Sequence, residues 1–102
     1  MSEKTIMLVC AAGMSTSLLV SKMQKSAEEK NIDVKIFATS SSDADSKLET
    51  EHPDVLMLGP QVRYMLDDFK KRVSIPVEVI NMQDYGMMNG AKVLDQAMSL
   101  IK

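Results

Sequence analysis

The order of apolar and helical segments predicts an α/β fold: four parallel strands in the order 2-1-3-4, with helices on both faces of the sheet. Three observations carry this prediction. Short apolar runs alternate with stretches of helical period, the pattern of strand-helix-strand units wound right-handedly. Two of the runs, Ile6-Met7-Leu8-Val9 and Val55-Leu56-Met57-Leu58, are continuously apolar, which suits strands buried on both faces. The other two alternate with polar residues, at Ile32, Val34, Ile36 and Ala38 and at Val77 and Val79, which suits strands toward the sheet's edges. The first and third strands are therefore central and the second and fourth outer.

The first strand gives way to a loop containing Gly13, and a helix is expected from Ser17 to about Lys30. Leu19, Met23 and Ala27 fall on one face of it, with Asn31 as its C-cap. After the second strand, Ser40 to Glu51 offers only Ala44 and Leu48 as apolar positions, so a short or mobile helix is expected. The third strand stops at Gly59-Pro60. Val62, Met65, Leu66 and Phe69 then mark one face of a helix that ends in Lys70-Lys71-Arg72, cations that complement a helix C-terminal dipole. Gly90, Leu94, Ala97 and Ile101 mark the last helix.

Composition narrows the function classes. The 102 residues suffice for one domain spanning residues 1–102, with a radius of gyration of about 13 Å. At 45% hydrophobic and 25% charged, the mixture is that of an ordinary globular protein. A net charge of −2, with two Phe, two Tyr and no Trp, argues against nucleic acid as a partner. The single cysteine can form no internal disulfide. No signal-like segment opens the chain and no apolar run approaches the ~18 residues of a membrane span, so the expected location is cytoplasmic, with membrane contact only through a partner. Ten methionines are a high count; soft core filling is the favoured explanation, and an adaptable contact surface the other.

Open parallel sheets bind ligands at the carboxyl ends of the strands, where the winding direction reverses. Here that crevice falls between the first and third strands, at residues 10–17 and 59–63. The loop Cys10-Ala11-Ala12-Gly13-Met14-Ser15-Thr16-Ser17 joins a buried strand to an amphipathic helix, so its backbone N–H groups can surround a tetrahedral anion such as phosphate. Gly13 permits close approach, the three hydroxyls can donate or cap the helix, and the field of the helix favours the thiolate, the nucleophilic form of Cys10. A lone cysteine at the end of a buried strand is more often a small buried hydrophobe. The residues alone leave a nucleophile and a structural thiol both open.

The run CAAGMSTSLLVSKM (Cys10–Met23), together with MLGPQVRYML (Met57–Leu66) and VEVINMQDYGMMNG (Val77–Gly90), resembles the enzyme IIB subunit of the sugar phosphotransferase system, lactose/cellobiose (diacetylchitobiose) type. The resemblance implies a phosphotransferase with no cofactor and no metal, whose fold is like that of low-molecular-weight tyrosine phosphatases. In this family the cysteine matching Cys10 takes a phosphoryl group from a phosphohistidine of the IIA subunit. It passes the group to a sugar, here a β-linked disaccharide such as cellobiose or chitobiose, held by the membrane subunit IIC. The phosphoryl oxygens would lie among the amides of the loop from Ala11 to Ser17.

Two other classes stand beside this one. A low-molecular-weight cysteine phosphatase would need Cys-x5-Arg, whereas the sixth residue after Cys10 is Thr16. Asp84 stands where such enzymes keep a general acid, although it reads more simply as an N-cap or turn residue. A non-catalytic binding module would use Met14, Leu18, Gln61 and Tyr64 as a docking surface, and these residues with Arg63 are candidate partner contacts for a carrier. His52 precedes Pro53 at the start of the third strand, some 16 Å from the crevice at ~3.3 Å per residue, and reads as a surface residue.

Overall fold

Strand β1 (Lys4–Cys10) pairs in parallel with β2 (Val34–Ser40) on one side and with β3 (Val55–Leu58) on the other, and β3 pairs with β4 (Val77–Val79). The sheet order is β2-β1-β3-β4, as the apolar patterns predict. The computed structural model describes residues 4–10 and 14–101, and of residues 14 and 15 the backbone alone. All four residues of β3 and the last five of β1 are buried, whereas exposed Lys35 interrupts β2 between Val34 and Ile36 and exposed Glu78 interrupts β4. Continuous and alternating patterns thus separate inner from outer strands in this chain.

Because neighbouring side chains on a strand point to opposite faces, β1 feeds two cores. Ile6, Leu8 and Cys10 pack with Leu19, Met23 and Ala27 of α1 (Met14–Glu29) and with Val93, Leu94 and Ala97 of α5 (Gly90–Leu100). Met7 and Val9 pack on the other face with Ala44 of α2 (Ala44–Glu51) and Phe69 of α3 (Leu66–Arg72). Asn31 follows α1 at φ 58°, the left-handed turn expected of it. Helix α2 is short, with Ala44 its only buried residue, and Lys35 of β2 donates to Glu51 at its end. That hydrogen bond holds the Glu51 carboxyl below its ordinary range.

The structure departs from the sequence expectations at three helices. Helix α1 begins at Met14, so Ser15, Thr16 and Ser17 lie in its first turn. The helix expected after Pro60 is a 3₁₀ segment, Pro60–Met65, followed by α3, with a non-helical Val62 (φ −116°, ψ 22°) inside the 3₁₀ segment. Val62 and Phe69 are nevertheless both buried, because the apolar stripe continues across the kink. Arg72 at the end of α3 does more than meet a dipole: it pairs with Asp45 and Asp68 and stacks on the Phe69 ring. Helix α4 (Met82–Gly86) is unforeseen, since five residues are too few to show a period. Its N-cap is Asn81, whose side chain accepts from the Asp84 N–H at 3.1 Å. Asp84 therefore lies inside the helix and is not the cap. Asn89 caps α5 in the same way, accepting from Lys92 at 3.2 Å.

The methionines divide. Met7, Met23 and Met57 fill the core, while Met82 and Met87 are 60% and 65% exposed.

Gly90 sets how closely α5 can approach α1. A Cβ on it would stand 2.6 Å from the Lys22 carbonyl carbon and 2.7 Å from the Met23 nitrogen, both backbone atoms that cannot turn aside. Gly90→Ala should therefore lower the free energy of urea unfolding by about 1–3 kcal/mol. Gly86→Ala, where nothing lies within 4 Å of the added atom, should be neutral or stabilising by up to ~1 kcal/mol. Equal midpoints for the two variants would contradict this account of the α1–α5 contact.

Candidate functional site

Strand β1 runs buried until it ends at Cys10, whose side chain is 2% exposed. The chain leaving β3 passes beside it, anchored by a Gly59 N–H that donates to the Val9 carbonyl at 2.8 Å. Gly59 adopts an ordinary extended conformation (φ −63°, ψ 151°), so its backbone does not require glycine. Space does. A Cβ there would lie 2.7 Å from Cys10 Sγ and 3.1 Å from Gln61 Oε1. The thiol thus points across the winding reversal toward the Gly59-Pro60-Gln61 turn, the crevice predicted for it.

Two more elements close on this point. Residues 14–17 form the first turn of α1, where backbone N–H groups have no acceptor within the helix and the dipole is positive. Thr16, in that turn, is 0% exposed, and its Oγ1 has no hydrogen-bond partner among the described residues. On the far side, Gln61 Nε2 donates to Tyr85 Oη at 3.3 Å, tying the turn to α4. Tyr85 itself is buried to 8% exposure, with its ring in the α1–α5 core. An open hollow of about 500 Å³ extends from there, lined by Pro60, Gln61, Arg63, Tyr64, Met82 and Tyr85. Arg63 is exposed, and the apolar side chains of Leu18, Tyr64 and Met82 are 52%, 77% and 60% exposed.

Of the predicted site residues, the structure brings Cys10 and Gln61 to one place and puts Thr16 and Ser17 in the first turn of the helix that follows the Cys10 loop. Arg63 and Tyr64 line the adjoining hollow. Ala11, Ala12 and Gly13 lie outside the described residues, as do the side chains of Met14 and Ser15. His52 is exposed at the C-terminal cap of α2, in a left-handed conformation (φ 49°), and lines a separate hollow with Arg72 and residues 73–75. It stands before β3, at the end of the sheet away from Cys10. Sequence reasoning missed the steric role of Gly59, the contact of Tyr85 with Gln61, and Met82 on the rim. For Tyr85 the one signal is its place beside Asp84, whose carboxylate has the more conspicuous chemistry.

A buried cysteine ending a central strand, at the switch point of a four-stranded parallel sheet, marks an α/β protein of phosphatase-like fold. The family model described as "PTS system, Lactose/Cellobiose specific IIB subunit" matches residues 5–96, and the chain belongs to that family of phosphotransferases. It is 54% identical to the galactose-specific EIIB component of Lactococcus lactis subsp. cremoris (strain MG1363) and 53% identical to the cellobiose-specific EIIB component of Lactococcus lactis subsp. lactis (strain IL1403), in each case over 99% of both chains. The oligo-beta-mannoside-specific EIIB component of Bacillus subtilis (strain 168) is 39% identical over 96% of both. Among solved structures, the cellobiose-specific phosphotransferase IIB component of Borrelia burgdorferi is similar at TM-score 0.81 and 41% identity, covering 98% of this chain and 93% of that one. The lactose-specific IIB domain of Streptococcus pneumoniae shares the fold at TM-score 0.82 and 17% identity, over 99% of this chain and all of that one.

If Gly59 is glycine because of the sulfur, its cost of substitution should depend on that sulfur. Gly59→Ala should destabilise the native protein by about 1–3 kcal/mol in urea unfolding, and by less than half as much when Cys10 is already alanine. Equal costs in the two backgrounds would place the conflict elsewhere.

Proposed function

We propose that Cys10 is the phosphoryl carrier of a sugar phosphotransferase system, accepting from a phosphohistidine of the IIA subunit and donating to a sugar held by IIC. The observation that carries this reading is the buried Thr16 hydroxyl with no partner among the described residues. Such an orphan typically costs about 1–3 kcal/mol. A fold keeps it when a ligand comes to use it, and an anion seated on the first turn of α1 above Cys10 would do so.

The chemistry needs only a thiolate and fixed donors. Cys10 ionises, releasing its proton to solvent. Its sulfur attacks phosphorus in line, an S–P bond forms, and the N–P bond of phosphohistidine breaks with its electron pair returning to the imidazole nitrogen. In the second transfer a sugar hydroxyl oxygen attacks phosphorus, the S–P pair returns to sulfur, and the hydroxyl proton leaves to solvent. Loop amides from residues 11–17, the start of α1 and the Thr16 hydroxyl would hold the phosphoryl oxygens in both steps.

The exposed side chains of Arg63, Tyr64 and Met82 around the hollow, and of Leu18 on α1, suit two protein partners that dock in turn. No helix among the described residues is long and apolar enough to cross a membrane, so contact with the bilayer's inner face would come through IIC. For the sugar we favour a β-linked disaccharide such as cellobiose or chitobiose, in keeping with relatives named for cellobiose and oligo-beta-mannoside. A relative of equal similarity is named for galactose, which fits a choice made mainly by IIC.

Two predictions test the reading. Incubated with phosphorylated IIA, the native protein should gain one adduct of about 80 Da and Cys10→Ser none. Thr16→Val should gain it at least about tenfold more slowly, yet unfold at an equal or higher urea concentration, because the orphan hydroxyl is gone. A Ser variant labelled like the native protein would overturn the assignment.

The second concerns hydrolysis. A phosphatase clamps phosphate with an arginine and supplies an acid, help worth about 10² to 10⁴ in rate, whereas a carrier loses sugar uptake to each hydrolysed intermediate. Here Thr16 occupies the arginine position, and the Asp84 N–H and carbonyl are engaged with Asn81 and Asn89. Asp84→Asn should leave transfer and the lifetime of phosphorylated Cys10 nearly unchanged. A hundredfold fall in aryl phosphate turnover in that variant, from an enzyme-like native rate, would favour the phosphatase.

A further inference from the structure

We propose that the Gln61 carboxamide is a reversible ligand of the transferred phosphoryl group, held in reach by Tyr85 and exchanging its donor and acceptor ends when Cys10 is loaded. This assignment rests on the carrier reading above and assigns Gln61 and Tyr85 separate tasks within it.

Geometry places the amide at the thiol. Cys10 Sγ and Gln61 Oε1 lie 2.7 Å and 3.1 Å from one point, the Cβ position that Gly59 leaves empty. The two atoms are thus separated by at most about two hydrogen-bond lengths, and no side chain of residue 59 stands between them. An S–P and a P–O bond in series carry a phosphoryl oxygen roughly one hydrogen-bond length from the sulfur, which leaves at most about one more to reach Gln61 Oε1. The amide is not free to wander: its Nε2 donates to Tyr85 Oη at 3.3 Å, and the Tyr85 ring is fixed in the core.

The polarity of this arrangement is set for the unloaded state. With Nε2 on Tyr85, the oxygen end is the one beside the vacant Cβ position that it shares with the sulfur, and a carbonyl oxygen repels the oxygens of a phosphoryl group. A half-turn of the carboxamide reverses this. Nε2 then donates to a phosphoryl oxygen, and the tyrosine hydroxyl, which can donate or accept, turns to donate to Oε1. No proton changes owner and no bond breaks, so the exchange can accompany each transfer. Gln61 lines the open hollow and is exposed, giving the amide room to turn. Tyr85 is a positioning residue, since its part in this exchange is to hold Gln61.

The test uses the whole chain and phosphorylated IIA. The Gln61 side-chain amide resonances should move on phosphorylation of Cys10 in the native protein, and move less in Tyr85→Phe. Gln61→Glu keeps the shape, loses the donor and adds an anion. The equilibrium level of phosphorylated Cys10 in this variant should fall at least about tenfold against the same donor, the range for a hydrogen bond to a charged group. Its affinity for unphosphorylated IIA should change less than twofold. Unmoved Gln61 resonances on a fully phosphorylated native protein, or a native equilibrium in Gln61→Glu, would overturn the proposal. So would a tenfold loss confined to IIA affinity, which would make Gln61 a docking residue. A native protein that takes up no phosphoryl group would instead refute the carrier reading beneath it.

Discussion

A parallel strand buried on both faces has no place for a reactive group until it ends, and β1 ends on Cys10. Everything about the site follows from that position. Two layers of helices fix the strand through Ile6 and Leu8 on one side and Met7 and Val9 on the other. The sulfur's location is therefore decided by the core. Pairing with β3 then delivers Gly59 to the sulfur's side, and the reversal of winding between β1 and β3 keeps helices from covering the gap.

The same construction explains why the site looks unfinished. Thr16 keeps a buried hydroxyl without a partner among the described residues, and Leu18, Tyr64 and Met82 keep apolar surface in water. Each feature works against the stability of the isolated chain. Stability is instead supplied at a distance, by close contact of α5 with α1 at Gly90 and by the Gln96 side chain, which bonds the Val79 carbonyl and the Asn81 N–H. The proposed carrier role would need this division: a rigid frame, and a face left open for docking.

How much of the molecule is legible in the sequence depends on the range of the interaction. Periodicity reports burial directly, so the continuous run of residues 55–58 reads as a central strand and the alternation at residues 34–36 as an outer one. Local spacing also places Cys10 at the end of a central strand, and the resemblance names the family. Contacts between distant segments leave no such mark. Gly59 reads as a strand stop, yet its missing Cβ answers to a sulfur 49 positions earlier in the chain. Gln61 and Tyr85 are 24 residues apart, and nothing local to either announces the pair. The start of α1 is misplaced by sequence reasoning because Ser15, Thr16 and Ser17 all resemble caps. The break at Val62 is hidden because the apolar stripe spans it.

The central claim is that sulfur of Cys10, and no other atom of the chain, holds the phosphoryl group in transit. Phosphorus-31 NMR on the protein loaded from phosphorylated IIA tests it directly. The account predicts a single new resonance that correlates through the S–P bond with the β-protons of Cys10. A phosphorus signal correlated with the imidazole of His52, or with a serine or threonine side chain, would contradict it.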